Sequence, residues 1–304
     1  MADFKLLNYA GGDGKAQPGI LIGDDQVLDV REATDGAAWA ASTLTIFDNW
    51  DTACPALHKL ADGGGETRAL SDVQLLAPLL YPPCIYCAGA NYKKHAMEMS
   101  ADGKTYPDKS VTNPYFFIKS GAHCVIGPGA NIELPKVSKQ VDWEAEFAVI
   151  IGKPGRNIPL ENAFDHVAGY TILNDLSARD RGKRDDWPNF GMDWFGHKVF
   201  EGSAPMGPWI TPADQIADPY ACRMQLWVND EKMQDEFVSD LIFDIAEQVE
   251  WLSRGIKLRT GDVVSTGTPS GVGRPRGIFL KSGDTVTIEV EGVGKLVNPV
   301  VEGE

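Results

Sequence analysis

The sequence predicts a mixed, β-rich fold of the α+β class, in which a small N-terminal β-rich domain precedes a larger domain. Short apolar runs of strand length recur along the chain, and turns rich in glycine, proline or aspartate separate them. Helical patterning is clear in one segment of the second half. The Tyr-Pro-Pro run at 81–83 interrupts both patterns, so we place the N-terminal domain at residues 1–78 and the larger domain at residues 82–304.

The N-terminal domain is predicted from alternating strands and turns. A helix is expected before the glycine run at 63–65, with an apolar side formed by Leu57, Leu60 and Ala61. Nothing in this domain has the spacing of a catalytic group, so we expect its role to be structural. The predicted strands are residues 4–9, 18–23 and 27–30.

The larger domain contains most of the predicted strands and one predicted helix. The helix is expected to begin after Ser239, a residue type that caps helix N-termini, and to close at Gly255. Its apolar stripe consists of Leu241, Ile245, Val249 and Leu252. The predicted strands include residues 85–92 with a break at Gly89, 115–120, 147–151, 167–173, 225–228, 283–290 and 294–300, and a further strand within 261–273 that runs into a glycine-rich turn.

Composition and charge exclude several classes of protein. The 304 residues include 43 acidic and 28 basic side chains, a net charge of −15, which argues against nucleic acid or an anionic membrane as a partner. No apolar run approaches the roughly 20 residues of a membrane helix. The first residues do not have the pattern of a signal peptide, so we expect a cytoplasmic location. Cys84 and Cys87 form a Cys-x-x-Cys pair, which we interpret as small buried residues in a reduced protein.

Two carboxylates lie at the start of the most apolar strand. Glu144 and Glu146 are two residues apart, so they point to the same face of a strand that continues through residues 147–151. Asp175 ends a second apolar strand and adds a third carboxylate. Three carboxylates suit a hard cation, either Mg²⁺ or Mn²⁺, or Ca²⁺. The alternative is a charged strand end that is ion-paired with Arg179.

A histidine and a lysine are further candidates for chemistry. His95 and Glu98 have i, i+3 spacing, which places them on one face of a helix, where the carboxylate can orient the imidazole as a general base. An exposed histidine on an ordinary helical turn is the alternative. Lys198 lies among aromatic residues and is interpreted either as a surface side chain or as a group that binds an anion.

Five motifs occur together in an order that is specific for one family. They are Gly89-Ala90-Asn91-Tyr92 with His95, Asp142-Trp143-Glu144-Ala145-Glu146, Asn174-Asp175 with Ser177-Ala178-Arg179-Asp180, the Gly-Asp-Val-Val-Ser-Thr-Gly-Thr-Pro run at 261–269, and Asn298-Pro299-Val300. Through them, residues 82–304 resemble the fumarylacetoacetate hydrolase family, and residues 1–78 resemble the smaller N-terminal domain of many members. The resemblance implies a β-sandwich roll and a homodimer.

The resemblance also implies roles for individual residues. It assigns a divalent metal, Mg²⁺ or Mn²⁺, to Glu144, Glu146 and Asp175. It assigns the catalytic dyad to His95 and Glu98, on a segment that often becomes ordered when ligand binds. Lys198 matches the family's lysine near the metal, and Thr268 matches a threonine that contacts ligand.

An anionic substrate needs positive charge, because three carboxylates and one divalent cation sum to about −1. We expect Arg179 and Lys119 to provide it beside Lys198, with Arg181 as a further candidate. Gly267 and Thr268 lie in a turn whose N–H and hydroxyl groups can hold a carboxylate. The loop after residue 180 departs from the close hydrolases, since Arg181 is followed by Gly182 and a charged run where those members have a pair ending in glutamine.

The expected substrate is a small anionic 2-oxo acid. Such an acid chelates a metal through its carboxylate and 2-oxo oxygens, and the metal stabilises an enolate at C3. The primary prediction is a metal-dependent hydrolase that cleaves a C–C bond in a 2,4-dioxo acid, in the catabolism of aromatic or sugar-acid compounds. The alternatives are a decarboxylase or isomerase that uses the same enolate, and a ligand-binding protein without activity.

Overall fold

The computed structural model describes residues 2–63 and 65–303 and has a sheet-rich, mixed α/β architecture, which confirms the predicted fold class. Twelve strands form one large sheet, five form a second sheet, and β10 and β13 form a short pair. In chain order the strands are β1 Phe4–Ala10, β2 Ala16–Ile22, β3 Gln26–Asp29, β4 Thr67–Ala69, β5 Leu75–Leu76, β6 Ile85–Gly89, β7 Tyr115–Lys119, β8 Val125–Ile126, β9 Ile132–Leu134, β10 Val141–Asp142, β11 Ala145–Ile151, β12 Val167–Asn174, β13 Ser177–Ala178, β14 Ala204–Pro212, β15 Arg223–Val228, β16 Glu231–Phe237, β17 Val263–Ser265, β18 Thr285–Val290 and β19 Gly294–Glu302.

The helices are short and lie between the strands. Among the described residues, each helix falls short of the length and apolar character that crossing a membrane requires. In chain order they are α1 Val30–Ala33, α2 Thr43–Asp48, α3 Trp50–Ala61, α4 Lys93–Met99, α5 Gly121–Cys124, α6 Trp194–Lys198 and α7 Ile245–Gly255.

Strand β11 lies at the centre of the molecule, and both of its faces are buried. Phe147 and Val149 point into a cluster shared with the five-stranded sheet β16-β15-β18-β19-β9. Ala148 and Ile150 point the opposite way, into a cluster shared with β1, β2 and helices α2 and α3. A strand that is buried on both faces needs a continuous apolar run, which is what residues 147–151 supply. The rigid core therefore extends directly to the carboxylates at the start of this strand.

The N-terminal strands continue the large sheet. Strand β1 pairs with β14 in antiparallel fashion, with Leu6 opposite Ile210. The order of the main path is β4-β3-β2-β1-β14-β12-β11-β17-β6-β7, so the N-terminal strands and the strands from β6 onward share one sheet. The predicted division of the chain near residue 80 remains a prediction about domains, whereas the predicted strands at 4–9 and 27–30 match β1 and β3 closely.

Helix α7 begins later than the sequence predicted. Asp244, and not Ser239, is the N-cap: its side chain accepts a hydrogen bond from the Glu247 N–H, and the Glu247 side chain accepts one from the Asp244 N–H. Residues Val238–Asp240 form only a short 3-10 helix. The α-helix cannot extend back to them, because the Ile242 N–H donates to the Asn91 carbonyl and the Phe243 N–H donates to the Asn91 side-chain oxygen. The predicted closure at Gly255 is correct.

Candidate active site

Three buried carboxylates meet where β11 begins and β12 ends. The two strands are antiparallel with Ala145 opposite Asn174, so the residues on either side of Ala145 come close to Asp175. One oxygen each from Glu144, Glu146 and Asp175 lie within 4.8 Å of one another. All three side chains are at least 95% buried. The spacing argument from sequence therefore brought together the correct three groups.

The main chain and neighbouring side chains fix these carboxylates in place. The Glu144 N–H donates to the Asn174 side-chain oxygen at 3.0 Å, and the Asp175 N–H donates to the Glu144 carbonyl at 2.8 Å. Oε2 of Glu146 accepts hydrogen bonds from the Ser265 hydroxyl and from the Gly267 N–H, the latter at 2.9 Å. Gly267 thus supports a carboxylate of the protein itself, and its predicted contact with substrate remains a prediction.

Two cations neutralise part of the charge. Nζ of Lys198 lies 2.7 Å from oxygens of both Glu144 and Asp175. Nη2 of Arg179 donates to Glu144 at 2.6 Å. Burial would raise the pKa of the Glu144 carboxyl, but Lys198 and Arg179 hold it well below its usual value. Glu144 is therefore ionised in the folded protein.

Glu146 and Asp175 fit a divalent cation. Burial, together with Asp175 and Glu144, raises the pKa of the Glu146 carboxyl well above its usual value, so its negative charge requires additional positive charge nearby. Oδ1 of Asp175 is buried and lies 3.0 Å from Nζ of Lys119, but it accepts no hydrogen bond within the described residues. A buried carboxylate oxygen that accepts no hydrogen bond, beside a carboxyl whose charge is only partly compensated, is the feature expected of a site for Mg²⁺ or Mn²⁺.

Lys119 lies behind this site. Its Nζ is 3.0 Å from Oδ1 of Asp175, but its hydrogen bonds go to the carbonyls of Leu176, Lys198 and Ser203, at 2.9, 2.7 and 2.8 Å. An ammonium group has three N–H bonds, so none is left for a ligand. This geometry argues against the predicted contact between Lys119 and substrate and makes Lys119 a support for Asp175 and for the Lys198 backbone.

Asp142 links the arginine of the site to the glycine-rich turn. Its side chain accepts from Nε of Arg179 at 2.8 Å and from the N–H groups of Gly273 and Arg274 at 2.7 and 3.0 Å. A Cβ at Gly273 would lie 2.0 Å from the Ile278 carbonyl, so only glycine fits there. One carboxylate thereby sets the position of two arginine residues that are 95 positions apart in sequence.

The predicted dyad forms on helix α4. Nδ1 of His95 lies 3.0 Å from Oε1 of Glu98, and Glu98 is itself held by the Gly271 N–H. Asn91 fixes the start of the helix, since its side chain donates to the carbonyls of Phe243 and Thr266 at 2.9 and 2.8 Å. With Nδ1 carrying the proton towards Glu98, Nε2 of His95 has the lone pair needed by a base.

A cavity of about 160 Å³ is lined by His95 of the dyad and by Glu144 of the carboxylate cluster. Its size is below the roughly 300–1,000 Å³ typical of sites for drug-sized ligands, which favours a small substrate. Phe117, Trp194 and Met99 form much of the apolar lining. The polar side chains that line it belong to His95, Glu144, Arg179, His197, Lys198 and Thr268, together with the exposed Arg274.

Gln234 is a site residue that the sequence analysis missed. It reaches over from β16, where its oxygen accepts from the Ala145 N–H at 2.9 Å. Its amide nitrogen donates to the Thr268 hydroxyl at 2.9 Å and to the Pro269 carbonyl at 2.8 Å. Gln234 therefore ties the strand of the carboxylates to the turn that contains Thr268. No chemical motif surrounds it in the sequence, and no strand is predicted at its position.

His197 was also missed. Nδ1 of its ring lies 3.0 Å from the Ala178 carbonyl, so Nδ1 carries the proton and the ring is neutral. Burial, with Lys198 and Arg179 close by, lowers the pKa of His197 to about 3. Gly182 packs against this ring, because a Cβ there would lie 3.2 Å from Nδ1. The unusual glycine of the loop after residue 180 thus gives room to a histidine of the cavity.

A family model described as fumarylacetoacetate (FAA) hydrolase C-terminal matches residues 84–301. The chain belongs to the fumarylacetoacetate hydrolase family. This match confirms the resemblance drawn from the five motifs, and with it the chain is an enzyme of that family with a buried acidic triad able to hold a divalent metal.

Similar proteins in the family include both isomerases and hydrolases. Oxaloacetate tautomerase YisK from Bacillus subtilis is 35% identical over 300 residues, 93% of this chain and 95% of the relative. The mitochondrial oxaloacetate tautomerase FAHD2A from Bos taurus is 39% identical over 235 residues, 76% of this chain and 70% of the relative. Maleylpyruvate hydrolase from Sphingobium sp. SYK-6, solved with a manganese(II) ion and pyruvate, has a TM-score of 0.78 and 29% identity and covers 99% of this chain and 100% of its own. The predicted cytoplasmic location and homodimer remain predictions.

Proposed function

We propose that the protein is a divalent-metal-dependent isomerase that interconverts the keto and enol forms of a small 2-oxo acid of the oxaloacetate class. The tautomerases named above support this choice, since they are 35–39% identical to the chain over most of its length. Isomerisation was the alternative in the sequence analysis, where hydrolysis stood first.

The observation that carries the proposal is that His95 and Glu144 line the same small cavity. Keto–enol exchange requires one base within reach of C3 and a positive environment for the oxygen at C2. His95 supplies the base, and Lys198 and Arg179 supply fixed positive charge beside Glu144. A divalent cation, when bound by the three carboxylates, polarises the 2-oxo group and lowers the cost of negative charge there.

The hydrogen bonds of the His95–Glu98 dyad indicate the path of the transferred proton. Nε2 of His95 removes the proton from C3, and Glu98 stabilises the imidazolium through the Nδ1–H bond. The single Gly271 N–H, which lies within hydrogen-bond distance of both Glu98 oxygens, keeps that carboxylate oriented during this step. His95 then returns the proton either to the oxygen at C2 or to C3, so the same residue serves both directions. No water molecule is consumed.

The test is to follow the enol absorbance of oxaloacetate in the presence of purified protein and Mn²⁺. We expect acceleration over buffer that contains the same Mn²⁺ concentration, loss of that acceleration with EDTA, and recovery when Mn²⁺ is added back. A rate equal to that of the metal-containing buffer would refute the proposal.

Hydrolysis of an acylpyruvate is the second candidate. The same His95–Glu98 pair can take a proton from a water molecule, and the structure of maleylpyruvate hydrolase is similar over almost the whole chain. Hydrolysis needs room for both the water and an acyl group, however, and the cavity is small. Turnover of an acylpyruvate without acceleration of oxaloacetate tautomerisation would favour this candidate over the first.

A further inference from the structure

The cations closest to the three carboxylates are already engaged by the protein. Lys198 donates to Glu144 and Asp175, each at 2.7 Å. Arg179 directs Nε to Asp142 and Nη2 to Glu144. Lys119 directs its N–H bonds to main-chain carbonyls. These groups offset the charge of the site, but a second negative group on a substrate needs a donor that is less committed.

Arg274 is such a donor. It lines the cavity and is exposed, and within residues 2–63 and 65–303 its guanidinium has neither a hydrogen bond nor an ion pair. Its neighbour Arg276 differs, because that guanidinium donates to the carbonyls of Gly271 and Met233. A free guanidinium has five N–H donors in a planar fork that matches a carboxylate.

The backbone of Arg274 is fixed although its side chain is not. Asp142 accepts from the N–H groups of Gly273 and Arg274 and from Nε of Arg179. Asp142 thus holds the Cα of Arg274 in a set relation to the arginine beside the carboxylates. Ordering only the side chain on ligand binding costs less entropy than ordering a whole loop.

The rest of the cavity lining limits which substituent of a substrate can lie beside Arg274. Apart from the polar groups near the carboxylates, the lining is apolar and includes Phe117, Trp194 and Met99. An alkyl or hydrogen substituent at the far end of a substrate packs there without a polar partner, whereas a carboxylate placed there without a cation is strongly disfavoured.

We infer that Arg274 binds the second carboxylate of a dicarboxylic 2-oxo acid and thereby selects such acids over 2-oxo acids with one carboxylate. This inference rests on the proposed function in one respect, since it places the 2-oxo acid end of the substrate against Glu144, Glu146 and Asp175. It goes beyond that function by assigning the distal group and the residue that recognises it.

The experiment compares two ligands that share the 2-oxo acid end. Mn²⁺-loaded wild type, Arg274→Ala and Arg274→Lys are titrated in a calorimeter with pyruvate, and with oxaloacetate already equilibrated between its tautomers. Removing a charge-assisted hydrogen bond weakens the binding free energy by about 1.5–3 kcal/mol, which is about 10- to 100-fold in affinity. We expect Arg274→Ala to lose that much for oxaloacetate and less than about twofold for pyruvate, with Arg274→Lys in between.

Arg156→Ala is the matched control, because Arg156 is exposed and lies outside the cavity lining. It removes the same charge and should leave both affinities unchanged. Equal losses for the two ligands, no loss for oxaloacetate in Arg274→Ala, or a wild type that binds oxaloacetate no more tightly than pyruvate would overturn the inference. A wild type that binds oxaloacetate selectively but does not accelerate its tautomerisation would instead defeat the proposed function and leave the inference standing.

Discussion

The ammonium nitrogen of Lys198 lies 2.7 Å from Oδ2 of Asp175 and donates a hydrogen bond to it. A second N–H bond of the same group goes to Glu144 at the same distance. Burial alone would lower the pKa of Lys198, but Asp175 and Glu144 raise it, so the lysine stays charged. Lys198 is therefore part of the carboxylate cluster as well as a candidate contact for an anionic substrate.

Replacing Lys198 by methionine should destabilise the protein when metal is removed. Two buried carboxylates would lose their shared cation, and breaking a buried ion pair in this way costs about 3–5 kcal/mol. The free energy of unfolding, measured by urea denaturation in EDTA, should fall by about that amount. Mn²⁺ should restore part of it, because the cation binds the folded state. Lys295→Met is the control: Lys295 pairs with Glu289 at the surface and should contribute less than about 1 kcal/mol.

Replacing Glu146 by glutamine should weaken metal binding. The side chain keeps its size, but a charged ligand of the triad is lost, and hydrogen bonds from Ser265 and Gly267 no longer orient a carboxylate. Partners that merely orient metal ligands are worth about 10- to 100-fold in affinity, so loss of a ligand should cost at least 100-fold or so. Titration calorimetry with Mn²⁺ measures this. Glu133→Gln, at an exposed position, should bind Mn²⁺ like the wild type, and unchanged affinity in Glu146→Gln would exclude the triad as the metal site.

Gln234 should matter for both stability and activity. Its removal leaves the Ala145 N–H and the Thr268 hydroxyl without their partner in a buried region, and each such group costs about 1–3 kcal/mol. Gln234→Ala should therefore lower the free energy of unfolding by about that much and reduce kcat/KM, while Gln234→Glu should keep the acceptor and lose the donor. Gln74→Ala, at an exposed position, should change neither quantity. A Gln234→Ala variant as stable and as active as wild type would show that the link is dispensable.

The sequence predicted the parts of this fold that depend on local patterns. The apolar run at 147–151 and the alternating strands near the C-terminus were found because burial on one or two faces leaves a direct trace in residue order. The carboxylate triad was found from the same pattern, since Glu144 immediately precedes β11, Glu146 is its second residue, and Asp175 immediately follows β12.

Other features depend on contacts between segments that are distant in the chain, so local residue patterns do not predict them. Ser239 and Asp244 are both good capping residues, and only the bonds between Asn91 and residues 242–243 decide in favour of Asp244. Lys119 was expected to face the substrate, because its sequence position gives no hint of the three carbonyls that surround it. The orientation of His197 likewise depends on the Ala178 carbonyl, 19 residues earlier in the chain, and that contact is not visible in the sequence.

His197 should make the metal-free protein sensitive to acid. Its pKa is lowered to about 3 in the folded state, whereas an unfolded chain binds the proton near 6.5. The unfolded state therefore binds more protons below pH 6.5, so the stability is complete above that pH and is lost as the pH falls towards 3. His197→Gln should show a smaller loss between pH 6.5 and pH 4 in urea denaturation with EDTA. Parallel curves for the two proteins would mean that the ring is protonated in the folded state.

The last prediction concerns His95. His95→Ala removes the base but none of the three carboxylates, so Mn²⁺ affinity should stay within about twofold of the wild type. Tautomerisation of oxaloacetate should fall by about 10²- to 10⁴-fold, the usual contribution of a general base. Glu98→Gln should lose less, because the imidazole remains and only its orientation and basicity change. His123→Ala, at an exposed position, is the control and should be fully active.

The His95 variants also test whether one base serves both candidate reactions. If the protein hydrolyses acylpyruvates, His95→Ala should reduce that activity by about 10²- to 10⁴-fold as well, because the attacking water loses its general base. His95→Gly with added imidazole should regain part of the tautomerase rate, because a free imidazole in the cavity can take the proton from C3 and return it to the oxygen at C2. Tautomerisation that survives in His95→Ala within a factor of about two, with metal still bound, would show that His95 is not the base that takes the proton from C3.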